Sequence, residues 1–381
     1  MGRLIAGKFD RLINIACASL FVLFAFVYLY EYQADLLTVM QHVFSEGQTH
    51  YDALVGAVVI TAVLMLLQLG VARLCRAARL AASLTFVPSA LLLTLLTSLH
   101  FTGDGACTTH GWIVAVPLLL VVYALLVWAS YATHFSEYMA ERMDSSLRSL
   151  WMNLGIMSLL MLFVCLSGNG DREYHSRIHM EQCISHSDYN GALDVAKRYD
   201  APDSCMTMLV AYTLSKQNAL GERLFEYRLA GRSAALLPDG KNVRLELLPE
   251  DRMYQYLGAW FVQRMPARKY LDFLRRHNML NKVSADYLLC ACLLDKDLNA
   301  FVENIGKHYA IDKNLPKHYK EALLLYMHLN SAPKVVYGNS VMEADFQDFQ
   351  NMGNTYENAR ERKNMVRGTY GNTYWFYYEY E

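Results

Sequence analysis

The chain has 381 residues, of which 54% are hydrophobic and 19% are charged, and its formal net charge is -1. A chain of this length has room for two domains, and its near-neutral charge gives no electrostatic reason to expect nucleic-acid binding. Its eight cysteines form no CxxC pair and no zinc-ribbon spacing, which argues against a structural zinc site. Long apolar runs are confined to the part of the chain before residue 168.

Five apolar stretches in that part are candidates for membrane spans, since a helix needs about 20 mainly apolar residues to cross a bilayer. They are residues 11–30, 53–72, 80–99, 112–133 and 149–167. Pro88 and Pro117 are expected to kink the third and fourth spans. Residues 1–167 are therefore predicted to form an N-terminal bundle of about five transmembrane helices.

The interiors of these spans contain few polar residues. Asn14, Gln68 and Asn153 are the polar amides there, and hydrogen bonding between neighbouring helices is the favoured interpretation of them. We find no sequence of ionisable residues that would carry protons or ions. A transporter is therefore disfavoured.

Basic residues predict the orientation, because they concentrate in cytoplasmic loops. They precede the first span (Arg3, Lys8, Arg11) and recur between the second and third (Arg73, Arg76, Arg79), whereas residues 31–52 and 100–111 contain no Lys or Arg. With five spans, the N-terminus is cytoplasmic and residues 168–381 are periplasmic at a bacterial inner membrane. An even number of spans would place that domain in the cytoplasm.

The first outer loop has apolar residues at helical spacing and is predicted to form an amphipathic helix against the bundle. Together with the second outer loop it supplies a candidate outer-face polar cluster. Its members are Glu31, Asp35, Gln41, His42, His50, Asp104 and His110. A polar-substrate or metal site is one interpretation, and a solvated loop surface is the favoured one because no ligand spacing is enforced.

From residue 168 onward, helix-period patterns predict a soluble, all-α domain. Helices are predicted near residues 172–185, 189–199, 203–216, 218–228, 251–263, 267–277, 283–294, 297–309, 316–329 and 341–363. Short helices and short turns suggest an α-solenoid. Tyr254, Leu257, Gly258 and Phe261 have the spacing of the first helix of a tetratricopeptide repeat, so residues 168–381 are predicted to be a tetratricopeptide-like helical-repeat domain.

Cysteine and histidine residues in this domain offer one candidate metal site and one candidate disulfide. His175, His179, Cys183 and His186 share one helical face. Such side chains can bind zinc or copper, but no general base or further ligand motif accompanies them, so metal binding is disfavoured and no cofactor is predicted. In a periplasmic domain, a disulfide between Cys183 and Cys205 is possible, although the strict geometry of disulfides makes separate thiols the favoured interpretation.

The segment TYGNTYWFYYEYE is dense in aromatic residues. Membrane insertion and partner binding are alternatives, but docking onto the end of its own domain is favoured because exposed aromatic clusters are costly.

Three segments, YLYEYQADLLTVMQHVFSEGQTHYD, LPKHYKEALLLY and TYWFYYEYE, carry a resemblance over the whole chain. The sequence resembles an uncharacterised family of Bacteroidetes polytopic membrane proteins with a C-terminal tetratricopeptide-like region, a domain of unknown function. The resemblance implies membrane location and a repeat-like second domain, and it implies no catalytic residues.

Two functions are open. The favoured one is a membrane-anchored scaffold that presents its helical-repeat domain to a protein partner in the cell envelope, because no catalytic set is recognisable. The alternative is a membrane enzyme that acts on a lipid-linked or envelope substrate at the outer face through Glu31, Asp35, His42 and His50. The lipid bilayer and a protein are the expected partners, and nucleic acid is not.

Overall fold

The computed structural model describes residues 2–75, 81–101, 107–108, 111–132, 146–199, 203–241, 243–261 and 263–381. The chain forms two compact units, residues 1–175 and residues 176–381. We call them the membrane unit and the helical unit. The division falls slightly after the predicted boundary at residue 167, because the loop after the last apolar helix and the first turn of the next helix bond to earlier parts of the membrane unit.

In its described residues, the membrane unit is helical apart from one short ladder and the connecting turns. Its elements are α1 (Gly2–Val27), which continues as a π-helix (Tyr28–Tyr32), α2 (Ala34–Phe44), α3 (Ala53–Leu74), a 3₁₀ helix (Ala82–Phe86), α4 (Val87–Thr97), β1 (His100–Phe101), β2 (Cys107–Thr108), α5 (Trp112–Ala132), α6 (Ser146–Ser167) and the start of α7 (Arg172–Ser185). The two strands are antiparallel and pair His100 with Thr108.

Four helices in the described residues are long and apolar enough to cross a membrane: Arg11–Tyr32, Ala53–Leu74, Trp112–Tyr131 and Leu147–Ser167. They correspond to four of the five predicted spans and support a membrane protein. The remaining prediction, residues 80–99, is a shorter apolar helix, Ala82–Thr97. It measures about 26 Å, against about 30 Å for a bilayer core.

The prediction that Pro88 kinks a span is wrong. Pro88 lies in the first turn of α4, directly after the 3₁₀ helix. A proline costs little there because its missing N–H would have no partner inside the helix. Pro88 therefore helps α4 to begin, whereas Pro117 does lie inside α5.

The segment 82–97 lies among the longer helices, and buried polar pairs hold it there. Gln68 Nε2 donates to Thr85 Oγ1 at 3.0 Å, and both the backbone N–H and the hydroxyl of Ser83 donate to Asn153 Oδ1 at 3.0 Å. These contacts confirm that Gln68 and Asn153 join helices to one another.

The amphipathic helix predicted for the first outer loop is α2. Leu36, Leu37 and Val39 are fully buried, whereas Phe44 at its end is exposed. Burial of one face against the π-helix, α3 and β1 explains why this short helix forms.

The helical unit contains the rest of α7 and eleven further α-helices in its described residues. These are α8 (Tyr189–Arg198), α9 (Ser204–Lys216), α10 (Leu220–Arg223), α11 (Glu250–Leu257), α12 (Ala267–Arg276), α13 (Lys282–Leu294), α14 (Leu298–His308), α15 (Lys317–Leu329), α16 (Ser340–Thr355), α17 (Ala359–Tyr370) and α18 (Tyr374–Tyr380). Two 3₁₀ helices, Leu224–Glu226 and Arg232–Leu236, complete it. From α12 to α15, each helix packs against the next one along the chain.

The segment with tetratricopeptide spacing is not one continuous helix. Tyr254 and Leu257 lie in α11, which ends there, and Gly258 follows with φ of 135°. A residue with a side chain rarely adopts this backbone conformation. Phe261 therefore lies beyond the helix, so this spacing does not mark the first helix of a repeat.

The aromatic segment docks on its own unit, as predicted. Tyr374, Trp375, Phe376 and Tyr377 are buried. The hydroxyls of Tyr374 and Tyr377 donate to the carbonyls of Leu293 and Leu294, at 3.2 and 2.9 Å, at the end of α13. These bonds satisfy carbonyls that have no partner within their own helix.

Candidate functional site

A polar network lies where α6 ends and α7 begins, and Asn169 is at its centre. The backbone N–H of Asn169 donates to the carbonyl of Thr97 at 2.7 Å. Its carbonyl accepts a hydrogen bond from Gln33 Nε2 at 3.0 Å, and its side-chain amide donates to the carbonyl of Leu99 at 3.4 Å. One residue therefore joins the end of α4, the end of the π-helix and the loop before α7.

His175 extends this network to Asp35. Its Nε2 lies 3.1 Å from the carbonyl oxygen of Asn169, and its Nδ1 lies 3.6 Å from Asp35 Oδ2. A carbonyl can only accept, so Nε2 carries a hydrogen. A neutral ring would then present a bare Nδ1 to a carboxylate, whereas the protonated ring forms an ion pair with it.

The geometry therefore favours the imidazolium form of His175. Burial lowers the pKa of His175, but the Asp35 carboxylate, the Asn169 carbonyl and the charge on Asp171 raise it by more. The net pKa lies above its ordinary value of 6.5. At 3.6 Å the contact with Asp35 is an ion pair and is too long for a good hydrogen bond.

A cleft of about 520 Å³ opens beside the network. Its lining includes Ser98, His100, Trp112, Ser167, Asn169 and Asp171. Trp112 is the first residue of α5 and Ser167 is the last of α6, so the cleft lies at one end of two candidate spans. The His100 ring packs 4.8 Å from the ring of the buried Tyr174. This cleft could take a small polar group, with Trp112 as an aromatic wall.

Asp35 is the member of the predicted outer-face cluster that lies in the His175 network. Gln41 is used within its own loop, where its amide donates to Thr49 Oγ1 at 2.9 Å and to the carbonyl of His50 at 3.3 Å. Glu31 and His50 are exposed and His42 is half-buried. Asp104 and His110 lie outside the described residues.

Three of the four candidate metal ligands, His175, His179 and Cys183, lie on α7, and the fourth, His186, follows it. His175 is engaged by Asp35 and Asn169, Cys183 is half-buried, and His186 lies just past the helix with Nδ1 2.8 Å from the carbonyl of Gln182. In the part of the chain that the structure describes, no group of three or more His, Cys, Asp or Glu side chains is arranged to hold a metal ion.

Cys183 and Cys205 both carry thiols in the structure. Cys205 is buried, and its Sγ accepts a hydrogen bond from the backbone N–H of Arg244 at 3.5 Å. Burial raises the pKa of the Cys205 thiol. A disulfide between the two residues stays a prediction.

The helical unit also contains a buried carboxylate that the sequence patterns did not indicate. Glu181 is 1% exposed, and Oε2 accepts hydrogen bonds from the backbone N–H groups of Glu246, Leu247 and Leu248 at 3.0, 2.7 and 3.2 Å. Burial raises the pKa of Glu181 to about 7, against the lowering effect of these donors. Its role is to fix the segment before α11 onto α7, and no local sequence signal marks it.

A second buried network holds α18. His318 Nδ1 lies 2.9 Å from Glu321 Oε2, and His318 Nε2 accepts the backbone N–H of Phe225 at 3.3 Å. Nδ1 therefore carries the hydrogen and donates to Glu321. The same Glu321 oxygen accepts the backbone N–H of Tyr374 at 2.7 Å. His318 and Glu321 are i and i+3 on α15, which is the one sequence signal for this pair.

A third carboxylate in this unit is the half-buried Asp286, whose Oδ1 accepts hydrogen bonds from the hydroxyls of Tyr309 and Tyr319 at 2.6 and 3.0 Å. Burial raises the pKa of Asp286 more than these donors lower it. The carboxylate joins α13 to α15 and to the residue after α14. It therefore serves packing.

The profile of a family described as "Family of unknown function (DUF6057)" matches residues 106–260 and 261–381, which is more than half of the chain. No curated protein and no solved structure matches the chain.

Proposed function

We propose a function from the structure itself, because the chain belongs to DUF6057, a family whose function is unknown. We infer that the protein is a membrane-anchored scaffold that presents its helical unit to a protein partner in the cell envelope. The protein is anchored through its apolar helices, four of which are long enough to span a bilayer. The proposal assigns the helical unit to binding and the membrane unit to anchoring.

The use of buried and half-buried ionisable groups in the helical unit supports binding over catalysis. Glu181 bonds to three backbone N–H groups, His318 and Glu321 hold α18, and Asp286 holds two tyrosines. A catalytic acid or base must reach a substrate. These four side chains are instead occupied by packing, and this is the observation that carries the proposal.

The helix order is compatible with a helical-repeat surface. Successive packing from α12 to α15 supports an α-solenoid, in which neighbouring helices along the chain stack on one another. We propose that the tetratricopeptide-like character belongs to these helices, since the segment around Gly258 does not supply it. Solenoid surfaces bind peptides and other proteins along several helices at once.

The proposed orientation follows the loop charges. Arg3, Lys8 and Arg11 support a cytoplasmic N-terminus in a bacterial cell. If the segment 82–97 crosses the inner membrane together with the four longer helices, the helical unit is periplasmic. Labelling single cysteines in a cysteine-free variant with a membrane-impermeant thiol reagent in intact cells tests this, with Lys313→Cys in the helical unit and Arg11→Cys at the start of the first span.

Site-specific photo-crosslinking of the full chain in its own cells tests the scaffold proposal. A crosslinking amino acid is placed at exposed positions Lys269, Glu303 and Asp348 on α12, α14 and α16. We expect one discrete protein adduct at neighbouring positions and none at the apolar control position Val121 in α5. Absence of a protein adduct at every exposed helical position would overturn the proposal.

A membrane enzyme is the second candidate, and the cleft beside His175 and Asp35 is the observation that favours it. A lipid-linked or envelope substrate would enter at the ends of α5 and α6. Where deletion of the gene has a phenotype, Asp35→Asn and His175→Gln should reproduce it without loss of protein from the membrane. Normal growth of both variants would exclude this candidate.

A further inference from the structure

The cleft at the ends of α5 and α6 has a lining that combines an indole ring with several small polar groups. The lining residues are Ser98, His100, Thr108, Trp112 and residues 167–171, and all of them belong to the membrane unit. The volume of about 520 Å³ lies within the range of small-molecule sites. No Lys or Arg is among these residues, so the cleft does not favour a phosphate or another anion.

Asp171 supplies the carboxylate of the cleft. Its Oδ1 accepts hydrogen bonds from the backbone N–H groups of Glu173 and Tyr174 at 2.9 and 3.2 Å, and so caps the first turn of α7. Its Oδ2 accepts no hydrogen bond from any residue that the structure describes, and the residue is exposed. One oxygen therefore holds the helix, and the other can accept a hydrogen bond from a ligand.

Two donors in the lining make no hydrogen bond to another described residue. They are the hydroxyl of Ser167, at the end of α6, and the indole N–H of Trp112, at the start of α5. The hydroxyls of Ser98 and Thr108 donate to backbone carbonyls at 3.1 and 3.3 Å, so their oxygens remain acceptors. The cleft therefore offers both donors and acceptors to one ligand.

This mixture of groups favours a sugar over an ammonium group. A sugar hydroxyl both donates and accepts, so it can use a carboxylate, hydroxyl oxygens and N–H groups together. A sugar ring also has a face of C–H groups, which can pack against an aromatic side chain such as Trp112. An ammonium group only donates, so it would leave the N–H of Trp112 unused.

We propose that this cleft binds a sugar ring. Asp171 Oδ2 and the Ser167 hydroxyl bond to sugar hydroxyls, and Trp112 packs against the C–H groups. The inference rests on the cleft of the second candidate function, but it requires binding only and no reaction. The sugar could be soluble or linked to a lipid, because the cleft lies at one end of two candidate spans.

Saturation-transfer NMR of the detergent-solubilised full chain tests the proposal, with glucose, galactose, mannose and N-acetylglucosamine as probes. The detergent must have no sugar headgroup, since that headgroup would compete for the cleft. We expect at least one of these sugars to bind with a Kd of about 10 mM or below, the range of a small ligand held by a few hydrogen bonds. Ethanolamine serves as the cationic comparison and should not bind.

Two substitutions in the cleft have matched controls elsewhere in the chain. Asp171→Asn should weaken sugar binding by about tenfold, because asparagine caps a helix as well as aspartate does but lacks the charge. Asp188→Asn makes the same change at the cap of α8 and should leave binding unchanged. Ser167→Ala should weaken binding by about threefold through loss of a neutral hydrogen bond, whereas Ser158→Ala in the same helix should not.

Native mass spectrometry of the purified wild-type chain distinguishes the two sources of sugar. A retained glycolipid that is lost in Asp171→Asn indicates a lipid-linked sugar, and binding of soluble sugar without retained glycolipid indicates a soluble one. Thermal unfolding confirms that each variant is folded.

The proposal is wrong if no sugar binds and no glycolipid is retained, or if binding is equal in wild type and both cleft variants. Binding of ethanolamine in place of sugar would also overturn it. Growth of the Asp35→Asn and His175→Gln variants tests the enzyme candidate separately, so failure of one proposal can be distinguished from failure of the other.

Discussion

The two units bury polar groups in different chemical forms. Inside the membrane unit, uncharged amides and hydroxyls pair between helices, as in Gln68 with Thr85 and Asn153 with Ser83. The helical unit instead buries carboxyl groups, Glu181 and Glu321, against backbone N–H groups. A buried charge needs several fixed donors to offset its lost hydration, and a compact helical core surrounded by loops provides them.

Glu321→Ala should show the largest effect and so gives the strongest test of this comparison. The change leaves the N–H groups of His318 and Tyr374 without their acceptor in a buried site. We expect a loss of about 3–5 kcal/mol in the free energy of unfolding. Equilibrium unfolding followed through Trp375 fluorescence, with the other tryptophans replaced, measures it. An unchanged unfolding midpoint would show that Glu321 is not the residue that anchors α18.

The pH dependence of Glu181 should be the next largest effect. Its folded pKa of about 7 lies above its ordinary value of 4.5, so the folded state holds its proton more tightly than the unfolded state. This contribution is fully present below about pH 4.5 and is lost as the pH rises toward 7. The loss is about 3 kcal/mol. Glu181→Gln cannot titrate, so the difference in unfolding free energy between wild type and variant should follow this pH window; a constant difference would contradict it.

The pH dependence of stability that arises from His175 should be smaller than that from Glu181. In the folded state the charged form of His175 is favoured, whereas for Glu181 it is the neutral form. The folded pKa of His175 lies above 6.5, so the stabilisation is fully present below pH 6.5 and is lost as the pH rises through the folded pKa. The protection factors of the α2 amides against hydrogen exchange, corrected for the intrinsic pH dependence of exchange, should therefore fall as the pH rises. In Asp35→Asn this fall should disappear or move to lower pH, since the ion pair is absent. Identical profiles for wild type and variant would rule out the pairing.

Gln68→Leu should show the smallest effect. The variant keeps the volume of the side chain and removes one hydrogen bond to Thr85. Hydrogen bonds between membrane helices contribute about 0.6–1 kcal/mol. Thermal unfolding in detergent should therefore show a small loss, well below that of Glu321→Ala. A loss as large as that of Glu321→Ala would remove the distinction between the two units.

Local sequence patterns predicted much of this fold, but they could not predict contacts between residues that are far apart in the sequence. Apolar length identifies four candidate spans, and helical periodicity identifies α2 and most helices of the second half. Hydropathy identified the third apolar stretch, residues 80–99, but it did not reveal that the helix there is shorter, Ala82–Thr97. The spacing around Gly258 suggested one helix, but the positive φ of that glycine ends the helix early.

The candidate site also depends on contacts between residues that are far apart in the sequence, and it was predicted less completely than the fold. Asp35 and His175 were both recognised in the sequence, but they were assigned to two separate clusters. They are 140 positions apart and meet only because Asn169 joins the loop before α7 to Thr97 and Gln33. No sequence pattern indicated the role of Glu181, because its partners are backbone N–H groups, which carry no information about residue type.

The docking of α18 has a consequence for biosynthesis. The residues of α13 and α15 are synthesised before Tyr374 and Trp375. The carbonyls of Leu293 and Leu294 and the carboxylate of Glu321 therefore lack their α18 donors until the end of translation. The unit can close only after residues 374–380 emerge. A premature stop codon shortly before Tyr374 would thus leave an apolar groove that quality-control proteases can recognise.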